Sequence, residues 1–134
     1  MSTLAQVDHA VDVLGKRDLA ILHACSAYPA SYADLNLNVI PALRERFRVP
    51  VGYSGHESGI ASSVAAVALG ARIVERHITV DRAMWGTDQA ASLGPSGLER
   101  LIRDIRLVEV AMGDADKRLL DSEVSIMKKL RRVG

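Results

Sequence analysis

Apolar residues recur along the chain with two different periods. Leu4, Val7, Val11 and Leu14 are spaced three and four apart, the interval that lines one face of a helix. Thr3 and Gln6 form a T-x-x-Q capping box ahead of them, and Gly15 stands where such a helix would end. Leu19 to Cys25 (LAILHAC) is instead a short, nearly continuous apolar run, the pattern of a strand buried on both faces. A loop over residues 26–32 follows, in which Pro29 cannot extend a ladder. Leu35 to Phe47 returns to helical spacing, and Pro41 either kinks that helix or marks the start of its regular part. A second strand is predicted over Val51 to Ser54. After it comes an alanine-rich helix from about Ile60 to Leu69, stopped by Gly70. The third strand, Ala71 to Thr79, alternates: Ile73, Glu75, His77 and Thr79 share one face, Val74, Arg76 and Ile78 the other. Asp81 to Leu93 lacks a period and reads as a loop. Pro95 suits the first turn of a last helix whose stripe is Leu98, Leu101, Ile102, Ile105, Val108 and Met112, ending at Gly113. The tail beyond Lys117 predicts no definite element.

Strands alternating with helices imply an α/β fold with a parallel sheet and right-handed crossovers. A helix with no strand before it is an unusual opening for such a chain. The centre of the pattern is Pro50 to Asp88, a β–α–β unit in which each strand runs into a histidine, His56 in VGYSGH and His77 in IVERH. The carboxyl edge of a parallel sheet is where loops on a rigid scaffold collect chemistry.

Composition narrows the classes. With 134 residues, 49% hydrophobic and 25% charged, the chain suits one ordinary globular domain. A net charge of +1 and 4% aromatics argue against a nucleic-acid partner; the KKLRR cluster suits a solvated helix end. The single cysteine, Cys25, leaves no intrachain disulfide and fits a reducing, cytoplasmic setting. No signal peptide is visible, and the apolar stretch Val64 to Leu69 is far too short to span a bilayer, so no membrane role is expected.

Two histidines at the ends of neighbouring strands, about 4.8 Å apart in a sheet, can share one metal ion, since imidazole suits several metals. The alternative is two satisfied histidines in a polar sheet end. Glu57, Glu75 and Asp88 are carboxylates able to complete or orient such a site. His9 lies on the first helix, and a structural hydrogen bond is the better reading of mid-strand His23. Ser26, Tyr28 and Ser54 place hydroxyls at strand ends, where they can bind carboxylate or phosphate oxygens. Gly52, Gly55 and Gly59 make no phosphate-binding fingerprint. Cys25 has no basic neighbour and reads as an inert thiol. Trp85 is either a lid over the mouth or a loop anchor.

The segments SAYPASY, VPVGYSGHESG, VAAVALGARIVERHITVDRAMWGTDQAASL and MKKLRRV together resemble the sialic acid synthase family, nearly end to end. That resemblance implies enzymes that make N-acetylneuraminate and related nonulosonic acids from phosphoenolpyruvate and an N-acetylated hexose such as N-acetylmannosamine. It implies an eight-stranded β/α barrel (TIM-type) and a divalent metal, typically Mn²⁺, on His56 and His77. It assigns Ser54 to the phosphoenolpyruvate carboxylate, Tyr28 to the sugar side and Ser26 to a position where some members carry asparagine. Glu75 and Asp88 match acidic residues beside metal and substrate, the catalytic carboxylates of this reading.

The chain departs from the family pattern in two places. Many members read SDHT where this chain reads Ser54-Gly55-His56-Glu57, so one carboxylate is lost from the site and Glu57 is expected to add another. Met1-Ser2-Thr3 resembles the end of the family's STGMST segment. On that alignment residues 1–134 form the C-terminal part of the barrel, its last three strands, with no antifreeze-like domain. The general-base glutamate and phosphate-binding lysines belong to the other strands. The expectation is therefore a partial synthase, weak in metal binding and inactive alone, that self-associates into a homo-oligomer or docks with an N-terminal barrel part. A non-catalytic barrel remnant is the alternative. A metal hydrolase built on the two histidines is a weaker one, for want of a general base.

Overall fold

The structure, a computed structural model, describes residues 1–131. Helix α1 spans Leu4–Leu14. Its capping box forms as the sequence predicts: Thr3 N donates to Gln6 Oε1 at 2.8 Å and Gln6 N to Thr3 Oγ1 at 3.4 Å. The left-handed Gly15 (φ 72°) closes the other end, its N–H donating to Val11 O at 2.9 Å. The expected apolar stripe is only half used, because Val11 is buried whereas Leu4 and Leu14 are exposed.

Three strands follow: β1 (Ile21–Ala24), β2 (Val51–Gly55) and β3 (Ile73–Arg76). They form one parallel sheet in the order β1-β2-β3. His23 pairs with Tyr53, Tyr53 with Val74 and Ser54 with Glu75. Only β2 is buried along its whole length. Strand β1 is partly exposed throughout, which corrects the expectation of burial on both faces: it is an edge strand of this sheet. Strand β3 is shorter than the alternation suggested. After Arg76 the chain leaves the ladder, and Ile78 forms an isolated bridge with Leu93. Gly52 has a steric reason, since a Cβ there would lie 2.7 Å from Ile73 Cβ and Ile73 O.

Helix α2 (Val39–Phe47) starts later than the sequence pattern suggested; Tyr32–Asp34 is a separate 3₁₀ turn. Pro41 falls in the first turn of α2, where its missing N–H would have no partner anyway. Helix α3 spans Ala61–Ala68, α4 Pro95–Met112 and α5 Asp121–Leu130. The last of these lies in the tail for which no element was predicted. Glu123 reaches back to Leu120 N at 2.9 Å, and Lys128 and Lys129 complement the α5 dipole at its other end.

The core gathers Val11, Ile40, Leu43, Phe47, Val51, Tyr53, Ala66 and Ala71, so α1, α2 and α3 meet the face of the sheet that carries Val51 and Tyr53. Fully burying a side chain such as Ile40 or Val51 contributes about 1.5–3 kcal/mol. A bidentate pair, Arg46 with Asp8 at 2.7 Å for both bonds, ties α2 to α1. On the opposite face of the sheet Ile73 and Glu75 are exposed. Among the described residues no helix is long and apolar enough to cross a membrane.

Candidate metal and substrate site at the strand ends

His56 is the first residue after β2 and His77 the first after β3. They follow directly on the last ladder pair, Gly55 with Arg76, and stand side by side, with ring centres 5.2 Å apart and planes at 82°. His56 Nδ1 lies 2.7 Å from Cys25 O. A carbonyl can only accept, so Nδ1 carries the proton, and in a neutral ring the lone pair is then on Nε2. A carbonyl holding one ring nitrogen in this way prepares the other to bind a metal. Cys25 thus serves through its backbone, which the sequence reading of an inert thiol left unseen.

Two imidazoles sharing one ion, each bonded at about 2.1 Å and set roughly at a right angle round it, would have ring centres about 4.7 Å apart. The observed separation is close to that, and the donor set fits a divalent ion in part. Among the described residues no third histidine, cysteine or carboxylate joins the two to form a larger ligand group. Any remaining coordination positions would fall to water or substrate.

Tyr28 completes the cluster. Its ring centre is 4.7 Å from that of His77 and 5.5 Å from that of His56. Its hydroxyl donates to Asp88 O at 3.0 Å and lies 3.2 Å from Ser92 Oγ. Ser92, buried, donates to the same carbonyl at 2.7 Å. It pins the loop to Tyr28, and nothing in the sequence pattern singled it out. Asp88 Oδ2 stands 3.6 Å from His77 Nδ1, beyond hydrogen bonding but within ion-pair reach. The mouth is open: the His77 and Asp88 side chains are 40% and 52% exposed. Ser26 is exposed, one residue beyond Cys25. Trp85, 98% exposed, anchors nothing here.

Ser54, buried, and Glu75, exposed, lie on the sheet face away from the core, joined by a 2.7 Å hydrogen bond from Ser54 Oγ to Glu75 Oε1. His23 is held structurally, its Nε2 2.7 Å from Leu35 O.

Glu57 corrects the sequence reading. It adds no carboxylate to the mouth, because its side chain turns to the helix side and is fully buried. There it accepts from Tyr53 OH at 2.7 Å and from Arg76 Nη1 at 3.1 Å. Arg76 also donates to Glu57 O at 2.6 Å, Gly59 O at 2.7 Å and Ser63 Oγ at 3.0 Å. Gly55 leaves room for this knot: a Cβ there would lie 2.8 Å from Arg76 Cδ and 3.0 Å from Glu57 Oε2. Burial, then the bond to Glu57, pushes the Tyr53 hydroxyl well above the ordinary tyrosine range. The signal that was available is Arg76 itself, a charge on the strand face whose neighbours are apolar.

The sequence profile of the NeuB family matches residues 1–117. Human N-acetylneuraminate-9-phosphate synthase is 48% identical over 131 residues, covering 97% of this chain and 36% of that protein. N,N'-diacetyllegionaminic acid synthase of Campylobacter jejuni is 39% identical over 137 residues, covering 96% of this chain and 41% of that protein. The crystal structure of N-acetylneuraminic acid (sialic acid) synthetase from Leptospira borgpetersenii in complex with citrate superposes with a TM-score of 0.83 at 32% identity, over 99% of this chain and 48% of that one. The chain therefore spans less than half the length of these relatives.

Proposed function

The chain belongs to the NeuB family of sialic and related nonulosonic acid synthases, and from that premise we propose that it carries the metal and sugar side of a synthase active site. In this reading the three strands are part of a β/α barrel, and the open face carrying Ser54 and Glu75 is barrel interior. The reaction is the condensation of phosphoenolpyruvate with the open-chain aldehyde of an N-acetylated hexose. Carbon 3 of phosphoenolpyruvate bonds to the aldehyde carbon, water adds at carbon 2, and phosphate leaves with cleavage of the C–O bond.

The observation that carries the proposal is the pair of strand-end imidazoles 5.2 Å apart, one already oriented by a backbone carbonyl. His56 and His77 would hold the divalent ion, Mn²⁺ in this proposal, which when bound supplies Lewis-acid polarisation of a carbonyl oxygen. Tyr28, braced by Asp88 O and Ser92, presents an aromatic wall beside both rings and fits the sugar side. Asp88 faces His77 and is placed to orient it or to accept a proton from a sugar hydroxyl. Ser54 has one hydroxyl proton, and Glu75 takes it. To hold the phosphoenolpyruvate carboxylate, Ser54 must turn that proton from Glu75 to the ligand, so the two act as one unit. Ser26, on the rim, is assigned to substrate binding with them.

The test is Mn²⁺ titration of the 134-residue chain, followed by the paramagnetic signal of free Mn²⁺, beside His56→Ala and His77→Ala. Weak binding that each variant lowers by more than the roughly 10–100-fold typical of outer-shell changes is expected. Nonulosonic acid formation from phosphoenolpyruvate and N-acetylmannosamine should be undetectable with the chain alone. It should become measurable and metal-dependent when a family N-terminal barrel part is supplied, because a missing acid–base group alone costs about 10²–10⁴ in rate. A folded chain that ignores Mn²⁺, or whose binding survives both substitutions, overturns the metal reading. Clear turnover by the chain alone overturns the division of labour.

A further inference from the structure

Each candidate metal ligand is flanked by one member of the buried ion pair: Glu57 follows His56, and Arg76 precedes His77. The β2–β3 ladder ends at the pairing of Gly55 with Arg76, so both histidines lie beyond the register that the sheet enforces. Their main chains are pinned outward, to different loops, by Ala30 N donating to His56 O and Leu93 N to His77 O. Those bonds fix each histidine to its own surroundings and say nothing about the distance between the two.

The knot behind them links the two segments directly. From the last residue of β3, Arg76 donates to the Glu57 carboxylate, to the carbonyls of Glu57 and Gly59, and to Ser63 in the first turn of α3. Two of these four acceptors are main-chain carbonyls of the loop that His56 begins. A planar guanidinium with several fixed donors can hold them at once; a lysine ammonium, a single point of charge, cannot. Tyr53, inside β2, ties the same carboxylate back to the strand that delivers His56. The Glu57 and Arg76 side chains are 0% and 4% exposed, so solvent neither screens nor competes with the pair. Arg76 Nε is buried without a hydrogen-bond partner. The guanidinium is therefore oriented by its outer nitrogens, toward the loop, at the expense of its own inner donor.

We propose that the Glu57–Arg76 pair is the positioning element that sets the spacing of His56 and His77 and keeps His56 against the Cys25 carbonyl that fixes its tautomer, an inference that rests on the two-histidine reading above. Neither residue touches substrate; both act through the histidines beside them. A pair present only for stability is replaceable by other well-packed side chains, whereas a positioning pair is not.

The test uses the full 134-residue chain with Arg76→Lys and the double variant Glu57→Gln/Arg76→Met, which removes both charges together. Val51→Ala, a core change away from the knot, serves as the control for mere loosening. Long-range ¹H–¹⁵N spectra of the imidazoles, recorded without metal, report the His56 tautomer; Mn²⁺ titration reports the pair as a site. The wild-type chain should show His56 with its proton fixed on Nδ1. Both knot variants, where folded, should show mixed tautomers and shifted His77 resonances, with Mn²⁺ affinity lowered roughly 10–100-fold. Val51→Ala should keep the wild-type tautomer. If the double variant does not fold, Arg76→Lys decides. Folded knot variants with wild-type imidazole spectra overturn the proposal, as does a Val51→Ala chain that mixes tautomers equally. Loss of the tautomer in the knot variants of a chain that binds no Mn²⁺ sinks the metal reading and leaves the positioning inference standing.

Discussion

Glu75 and Arg76 are consecutive residues of β3 and face opposite sides of the sheet. Arg76 points to the helices, is 4% exposed in its side chain, and has donors spent on Glu57, Gly59 and Ser63. Glu75 points to the open side, is exposed, and accepts one hydrogen bond, from Ser54. Along β2 the side chains alternate in the same way, but both are buried: Tyr53 against the helices, and Ser54 donating to Glu75 on the other face. One side of this sheet has its charges answered by the protein itself. The other presents a carboxylate, Glu75, and an apolar side chain, Ile73, both exposed. Buried charge that is paired orients structure, and charge left in reach of solvent is free to meet a ligand or another polypeptide.

The largest effect that separates the two sides is on stability. Glu57→Ala leaves the Arg76 guanidinium buried without its carboxylate and should cost about 3–5 kcal/mol. Glu75→Ala should stay within about 0.5 kcal/mol, as exposed substitutions do. Urea unfolding of both variants checks this, and equal losses would erase the distinction between the faces.

A smaller effect concerns Tyr53. Its folded-state pKa is raised above the ordinary value of 10.0, by burial first and by Glu57 second. The folded state then keeps a proton that the unfolded chain gives up. The Tyr53 contribution is fully present below pH 10.0 and falls as the pH rises above it. Tyr53→Phe should lower stability by about 1.5–3 kcal/mol near neutrality, the range for a hydrogen bond to a charged group. It should also flatten the alkaline decline. Unfolding midpoints measured from neutral pH to the alkaline limit would show a slope unchanged by the substitution if the buried hydroxyl were irrelevant.

The smallest effect lies on the open side. Edge strands and exposed apolar surface favour association, so the 134-residue chain should sediment as dimers or larger species at micromolar concentration. Ile73→Lys, which puts a charge on the open face at the β3 edge of the sheet, should shift it toward monomer. A compact monomer in the wild-type chain would mean that this face is adequately solvated as it stands.

Much of this arrangement was legible in the sequence because it is local or periodic. The T-x-x-Q box and Gly15 bound α1, Pro41 falls in the first turn of α2, one of the two readings its position offered, and three apolar runs separated by helices imply a parallel sheet. A strand period that ends in histidine twice, in neighbouring strands, is enough to bring His56 and His77 to one edge. Sidedness beyond the last ladder residue was not legible. Alternation holds only while the ladder holds, so no period dictates whether Glu57 turns to the mouth or to the helices. Arg76, one strand away in space and 19 positions on in sequence, decides that. The same limit explains β1 and α1: an apolar run states that a segment can be buried, and only the packing of neighbouring elements fixes which of its faces is. Ser92 and the Cys25 carbonyl entered the site for a similar reason. A backbone oxygen has no residue identity to read, and a serine in a loop gains its partners only when the loop folds over Tyr28.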